Sequence, residues 1–252
     1  MYRSGNPALN DSTFEKSAYK EVSWWEDSES NLMSMNGVVD KTALLLTIVT
    51  LTAIAVYLTV PISLFLSLLG AIVGFVVALI IIFSGSMNPI LICTYAACQG
   101  LFLGGITWII EYQYNAPGLG IVAAVLTFLI LGVMLSIYRA GLISWNKNMQ
   151  IAVTSSMVAI LLIYLVSFIG SFVGFEVPLI HGNGAVGIAF SVFVVGIASL
   201  CLVADFDFIE RGVERGAPKQ LEWRAAFGLL VTLIWLYLEI LKLLAKLAAS
   251  LR

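Results

Sequence analysis

The apolar stretch Phe227–Leu251 contains three charged side chains, Glu239, Lys242 and Lys246. An ionised carboxylate at the centre of a bilayer helix costs about 2.5–3.5 kcal/mol on insertion scales. Glu239 must therefore be protonated, paired with a cation or turned toward a polar cavity. Spacings of three and four residues place all three side chains on one face of a helix. We therefore treat Glu239 as a functional-site residue and look for the group that neutralises it.

A second acidic group follows the preceding apolar run, in the segment SLCLVADFDFIERG. Asp205 stands directly at the end of the apolar residues, where a helix bundle would bury it. Asp207 follows two residues later and is a further candidate for an ion path. From Asp207 to Arg215 we expect a solvated loop, because charged side chains alternate with a few apolar ones.

Two groups compete as the partner of Glu239. Lys242 could form a local ion pair one turn away, with Lys246 snorkelling outward. Alternatively, Asp205 could face Glu239, and two carboxylates that close would share a proton and titrate as a pair. The protonated pair would hold the helices together, and the ionised pair would repel and open a polar path. We expect the second arrangement. Gln99, deep in another apolar run, is a candidate pairing or pore-lining residue.

The composition requires a membrane protein. The chain has 252 residues, of which 60% are hydrophobic and 11% charged, whereas soluble domains carry about 25% charge. The mean hydropathy is +1.00. No basic run points to nucleic acid. The three cysteines lie in apolar segments without metal-ligand spacing, so we expect no cofactor and no firmly assigned metal.

Seven apolar segments are long enough to cross a bilayer, for which a helix needs about 20 residues. We therefore predict an all-α polytopic bundle of seven transmembrane helices. The polar residues 1–41 form an N-terminal tail, and residues 42–252 form the seven-helix domain. The predicted spans are Thr42–Val60, Ile62–Phe83, Pro89–Ile110, Ala116–Ile137, Ile151–Gly174, Gly184–Ala204 and Ala225–Ala248.

The distribution of basic residues predicts that the N-terminus is cytoplasmic. Under this orientation the inner side receives ten Lys and Arg residues, and the outer loops receive none. Only Lys242, Lys246 and Arg252, after or within the last span, disagree with it. The ten inner residues are Arg3, Lys16, Lys20, Lys41, Arg139, Lys147, Arg211, Arg215, Lys219 and Arg224.

Glycines four residues apart recur in three spans, and such pairs allow helix backbones to approach closely. We interpret them as packing sites within the chain rather than as a dimer interface, and the oligomeric state stays open. The pairs are Gly70 and Gly74, Gly100 and Gly104, and Gly170 and Gly174.

Enzyme chemistry is poorly supported, and we expect no catalytic residues. An intramembrane serine protease needs a His beside its Ser, but His181, the single histidine, falls in a predicted outer loop. An intramembrane aspartyl protease needs a Gly-x-Gly-Asp signature, which this sequence lacks. A retinal-binding protein needs a buried Lys in the last span. Lys242 offers one, but nothing around it specifies a chromophore.

Three stretches resemble the Bax inhibitor-1 family, in particular its bacterial branch. They are MNGVVDKTALLL at the entry to span one, VADFDFIERG at the end of span six, and LYLEILKLLAKL in span seven. The resemblance implies a bundle whose last helix is surrounded by the others. It also implies a pH-sensitive calcium leak channel in a bacterial inner membrane, with a pair of acids as the sensor. By position, those acids are Asp205 and Glu239.

This sequence differs from the family pattern in its second span, which carries no charged residue. The arginine that the family places near its acidic pair has no counterpart there. The partner cation is therefore expected to be Lys242, Arg139 or another residue that the sequence does not identify. Carboxylates along a path suit calcium, a hard cation that prefers oxygen ligands.

Two further functions stay open. The first is a non-transporting regulator that acts through its acidic tail on a partner, such as the membrane-bound protease that the resemblance implies. The tail carries four Lys or Arg and seven Asp or Glu, a net charge of −3. The second is a secondary transporter, for which we would expect internal repeats and interrupted helices. Neither feature is visible in the sequence.

Overall fold

The computed structural model describes residues 31–59, 64–172, 182 and 184–250. In these ranges the chain forms seven α-helices, all long and apolar enough to cross a bilayer, and no β-strand. The all-α, seven-span prediction is confirmed. His181, Gly174 and residues 1–30 lie outside the described ranges. The helices are α1 (Met35–Leu58), α2 (Leu64–Ser84), α3 (Pro89–Gln113), α4 (Leu119–Arg139), α5 (Lys147–Ser171), α6 (Ala185–Glu214) and α7 (Leu221–Ser250).

Helix α6 continues well past the apolar run, so the prediction of a loop after Asp207 is wrong. The helix includes Asp207 and runs to Glu214. It continues because Phe208 and Ile209 are buried in an apolar cluster, which stabilises the helical conformation beyond the apolar span. Two residues after Glu214, Gly216 adopts a left-handed φ of 66° and terminates the helix. There, the amide of Ala217 donates to the carbonyl of Gly212 at 3.1 Å, as in a Schellman motif.

Three helices begin earlier than their predicted spans, among them α5, which begins at Lys147 rather than at Ile151. Helix α1 begins at Met35, where the side chain of Ser34 accepts a hydrogen bond of 3.0 Å from the amide of Gly37 and caps the helix. Helix α7 begins at Leu221 rather than at Ala225. Arg224, which the sequence places in a loop, is therefore a helical residue and is only 4% exposed.

The chain divides into two compact units. Unit 1 comprises Met1–Ile109 and Asp205–Val231, and unit 2 comprises Ile110–Ala204 and Thr232–Arg252. Both α6 and α7 therefore contribute one part to each unit. The apolar cluster of unit 1 contains Met33, Val38, Phe208, Ile209, Ala217, Leu221 and Ala225. The apolar cluster of unit 2 contains Trp145, Val153, Ile160, Val194, Ile197, Cys201, Val203 and Ala204.

Helix α7 is the most buried of the seven helices. Of its most apolar window, 61% is buried, against 50% for α6 and between 17% and 44% for the others. Helices α4 and α5 instead expose large apolar side chains such as Leu129 and Leu161, as lipid-facing helices do. The burial of α7 agrees with the enclosed last helix that the family resemblance implies.

Two of the predicted glycine pairs allow close helix contacts within the chain. A Cβ atom at Gly70 on α2 would lie 2.6 Å from the carbonyl oxygen of Cys98 on α3. A Cβ atom at Gly100 would overlap Thr52, and one at Gly104 would overlap the carbonyl of Ala53, both on α1. These glycines pack helices of unit 1 together, as the sequence predicts for the first two pairs.

Candidate functional site

Glu239 lies in the middle of α7 and is only 2% exposed. Its carboxylate accepts three hydrogen bonds from groups of unit 2. The hydroxyl of Tyr164 on α5 donates to Oε2 at 2.8 Å, and Nε1 of Trp235, one turn earlier on α7, donates to Oε1 at 3.1 Å. Nζ of Lys242, almost one turn later, donates to Oε1 at 2.7 Å and forms an ion pair. The carboxylate is thus held by two neutral donors and one cation.

Lys242 also contacts Tyr164 directly. Its Nζ donates to the tyrosine hydroxyl at 3.2 Å and lies 4.5 Å from the centroid of the ring, within the range of a cation–π contact. Tyr164 therefore accepts from Lys242 and donates to Glu239, and the three groups close a ring of hydrogen bonds. We call Tyr164, Trp235, Glu239 and Lys242 the Glu239 cluster.

The two charged side chains of the Glu239 cluster differ in how much of their surface is exposed. The side chain of Lys242 is 37% exposed, whereas that of Glu239 is 3% exposed. Breaking a buried ion pair by removing one partner typically costs about 3–5 kcal/mol, because the remaining charge is left uncompensated. The carboxylate of Glu239 is thus enclosed by its donors, while the side chain of Lys242 reaches the edge of the packed region.

Lys246 is buried and does not snorkel, so that expectation is wrong. It is 6% exposed, and its Nζ donates to the carbonyl of Gly187 at 3.0 Å and to Oγ of Ser191 at 2.8 Å. Both acceptors belong to the first turns of α6. A buried ammonium needs such acceptors, and these two hold it against the neighbouring helix.

Asp205 lies on α6 and is 1% exposed, which makes it as buried as Glu239. It belongs to unit 1, whereas the Glu239 cluster belongs to unit 2. Lys242, the alternative partner, is the group seen to pair with Glu239. The sharing of a proton between Asp205 and Glu239 stays a prediction.

The remaining predicted residues have local contacts. Asp207 forms an ion pair with Arg211 one turn later on α6. The side chain of Gln99 is hydrogen-bonded to Tyr95, one turn earlier on α3, and is half-buried. Arg139, the other candidate cation, is exposed at the end of α4. These local bonds are sufficient to explain Asp207 and Gln99 as side chains that stabilise their own helices.

The structure also shows a buried acid that the sequence reasoning missed. Glu222, in the first turn of α7, is completely buried. It accepts hydrogen bonds from the amide of Ser34 at 2.9 Å and from the hydroxyl of Ser34 at 3.1 Å, and forms an ion pair with Lys41. A Cβ atom at Gly37 would overlap this carboxylate. The available signal was an acid shortly before an apolar run, the typical position of a first-turn carboxylate.

Backbone bonds extend this contact. The amide of Met33 donates to the carbonyl of Ala217 at 2.7 Å, and the amide of Lys219 donates to the carbonyl of Asn31 at 2.8 Å. The segment before α1 is thereby paired with the segment before α7. We call residues 31–34, Lys41 and residues 217–222 the clasp.

No group of three or more His, Cys, Asp or Glu side chains suited to a metal occurs among the residues that the structure describes. The three cysteines, Cys93, Cys98 and Cys201, are free thiols. Glu111, another acid at 6% exposure, accepts a hydrogen bond of 2.8 Å from the amide of Gly120 at the start of α4. Its carboxylate therefore has a local structural role.

The described residues form seven apolar helices with a buried, ion-paired carboxylate in the last one, which is the arrangement of a multi-pass membrane protein with a charged cluster among its packed side chains. A protein-family model described as Bax inhibitor 1 like matches residues 6–249, nearly the whole chain. The chain belongs to the Bax inhibitor-1 like family, which confirms the resemblance seen in the sequence. No curated protein matches it.

Proposed function

We propose that this protein is a pH-sensitive calcium leak channel of the Bax inhibitor-1 type, with Asp205 and Glu239 as its sensor carboxylates. The observation that supports the proposal best is the Glu239 cluster, an ion pair inside the most buried helix. Ionisable groups at membrane depth are energetically costly, and they typically mark ion pathways or proton relays. We further propose a bacterial inner membrane with the N-terminus in the cytoplasm.

In this proposal, the ammonium of Lys242 competes with the permeating ion for the carboxylate of Glu239. Its ammonium occupies Oε1 of Glu239, one of the two oxygens that a calcium ion would use. A calcium ion must displace the ammonium before it can bind the carboxylate. The side chain of Lys242 is partly exposed, so its ammonium can move away from Glu239 toward the exposed side. Removal of its charge should therefore increase the leak at neutral pH.

The effect of removing the Lys242 charge distinguishes the two arrangements that the sequence left open. In both, calcium needs the ionised carboxylate of Glu239, so the leak increases as the pH rises. If Lys242 is the partner of Glu239, Lys242→Met frees Oε1 and increases the leak at neutral pH. If Asp205 and Glu239 share a proton, ionisation of that pair opens the path, and Lys242→Met leaves the leak unchanged. The contacts of Glu239 favour Lys242 as the partner.

Calcium flux into proteoliposomes, measured across pH, tests the proposal. Wild-type protein is compared with Asp205→Asn, Glu239→Gln and Lys242→Met. Glu210→Gln, which removes an exposed acid from α6, is the matched control. We expect Glu239→Gln to reduce the pH dependence strongly, and Glu210→Gln to behave as wild type. An unchanged leak in Glu239→Gln would rule out its gating role.

A non-transporting regulator is the second candidate, and the clasp favours it. The clasp attaches residues 31–34, which lie within the acidic tail directly after residues 1–30, to the segment before α7. Residues 1–30 would thus be attached to the helices at a defined position, where a partner such as a membrane-bound protease could bind them. Deletion of residues 1–30 leaves the clasp intact. This hypothesis predicts that the deletion abolishes the effect on the partner, while Asp205→Asn and Glu239→Gln do not.

A further inference from the structure

An open cavity of about 720 Å³ lies where three helices of unit 1 begin. Its volume falls within the range of small-molecule sites, about 300–1,000 Å³. Its walls come from the segment before α1, from the second turn of α1, and from the starts of α3 and α7. The lining residues are Asn31, Lys41, Met87, Asn88, Pro89, Lys219, Gln220 and Trp223.

The charges of this cavity are positive. Lys41 and Lys219 line it, and none of the lining residues is acidic. Glu222, which is completely buried and not part of the lining, forms an ion pair with Lys41 and balances one of these two charges. Nζ of Lys41 also lies 5.5 Å from the ring of Trp223, which keeps the ammonium at the cavity wall.

The backbone adds positive potential at the same place. Helices α1, α3 and α7 all begin beside the cavity, and the N-terminal end of a helix carries a partial positive charge. At α3, Oδ1 of Asn88 accepts a hydrogen bond of 2.9 Å from the amide of Ile90, which fixes the asparagine at the helix start. Glu222 balances the positive charge of Lys41 and of the starts of α1 and α7, so the attraction for an anion comes mainly from Lys219 and the start of α3.

We propose that this cavity binds a phosphate group, carried either by the headgroup of an acidic phospholipid or by a soluble phosphate ester. Basic pockets between membrane helices bind anionic headgroups in this way. Met87, Pro89 and Trp223 provide apolar and aromatic surface beside the lysines, as a membrane interface requires. The site shares no residue with the Glu239 cluster, and the proposal does not depend on ion conduction.

The test is the thermal unfolding of the purified full-length chain in a neutral detergent. Phosphatidylglycerol is titrated against phosphatidylcholine, and glycerol 3-phosphate serves as the soluble probe. Lys219→Gln removes one cavity cation and keeps its backbone bond to Asn31. Gln220→Glu adds a negative charge at an exposed position. Lys147→Gln, an exposed lysine at the start of α5, is the matched control.

We expect phosphatidylglycerol to raise the unfolding temperature of the wild type. Its apparent affinity should fall about fivefold in Lys219→Gln, the effect of one lysine near an anionic surface. Gln220→Glu should weaken binding as well, and Lys147→Gln should not. Stabilisation by phosphatidylglycerol alone identifies a lipid site, and stabilisation by glycerol 3-phosphate as well identifies a site for phosphate esters. Equal stabilisation by phosphatidylcholine, or equal affinity in all variants, would overturn the proposal.

Discussion

The hydroxyl of Tyr164 on α5 donates a hydrogen bond of 2.8 Å to the buried carboxylate of Glu239 on α7. The same hydroxyl accepts a hydrogen bond from Lys242. Tyr164 thereby connects the acid of the last helix to another helix, whereas Lys242 neutralises it from within the same helix. The stability of the buried charge depends on both contacts, which can be removed separately.

Tyr164→Phe should destabilise the protein, because Glu239 loses one donor while the ring is kept. We expect a loss of about 1–3 kcal/mol, the usual effect on a buried group that loses a hydrogen bond. The measurement is thermal or denaturant unfolding in detergent. Tyr112→Phe is the control, since that tyrosine is 76% exposed. Equal stability of the two variants would contradict the importance of the Tyr164 hydroxyl.

Glu239 and Lys242 should be coupled energetically. Lys242→Met leaves a buried carboxylate without its cation, whereas adding Glu239→Gln removes the charge that needed it. We expect a double-mutant cycle to give a coupling of about 1–3 kcal/mol, with the double variant more stable than the two single effects predict. Strictly additive effects on unfolding would show that the ion pair contributes little.

Gly37→Ala should destabilise the clasp, because the added methyl group overlaps the carboxylate of Glu222. Overpacking of this kind costs about 1–3 kcal/mol. Gly132→Ala on α4 is the matched control, since a Cβ atom there meets nothing within 4 Å. That control should be neutral or stabilising by about 0.5–1 kcal/mol, because alanine is the better helix former. Unfolding temperatures compare the two, and a stable Gly37→Ala variant would argue against the contact.

Lys246 should be protected from chemical modification. It is 6% exposed and donates two hydrogen bonds to α6, whereas Lys147 is exposed. In detergent solution, an amine-acylating reagent should modify Lys147 much faster, with peptide mass spectrometry as the readout. Similar rates at the two lysines would place the ammonium of Lys246 in contact with solvent.

The predicted orientation can be tested with single cysteines in a variant without the three native ones. Arg215→Cys lies in the exposed connection between α6 and α7, and Gln113→Cys lies at the exposed end of α3. A membrane-impermeant thiol reagent added to intact cells should label Gln113→Cys and not Arg215→Cys. The reverse pattern would contradict a cytoplasmic N-terminus.

The sequence was sufficient to predict the helices, because crossing a bilayer requires about 20 consecutive apolar residues whatever the packing. It was less informative about helix ends. Phe208 and Ile209 extend α6 through tertiary burial, and Ser34 and Glu222 belong to helix starts that precede the apolar runs. Such contacts outweigh the local polarity on which the loop prediction depended.

By itself, the sequence determined that an acid lies inside the last membrane helix and that Lys242 follows it on the same face, because both are consequences of hydropathy and helical period. Only the tertiary structure decided which groups complete the arrangement. Tyr164 lies 75 residues before Glu239, and Ser34 lies 188 residues before Glu222. Hydrogen bonds between residues this distant depend on how helices pack, and no local pattern along the chain encodes their partners.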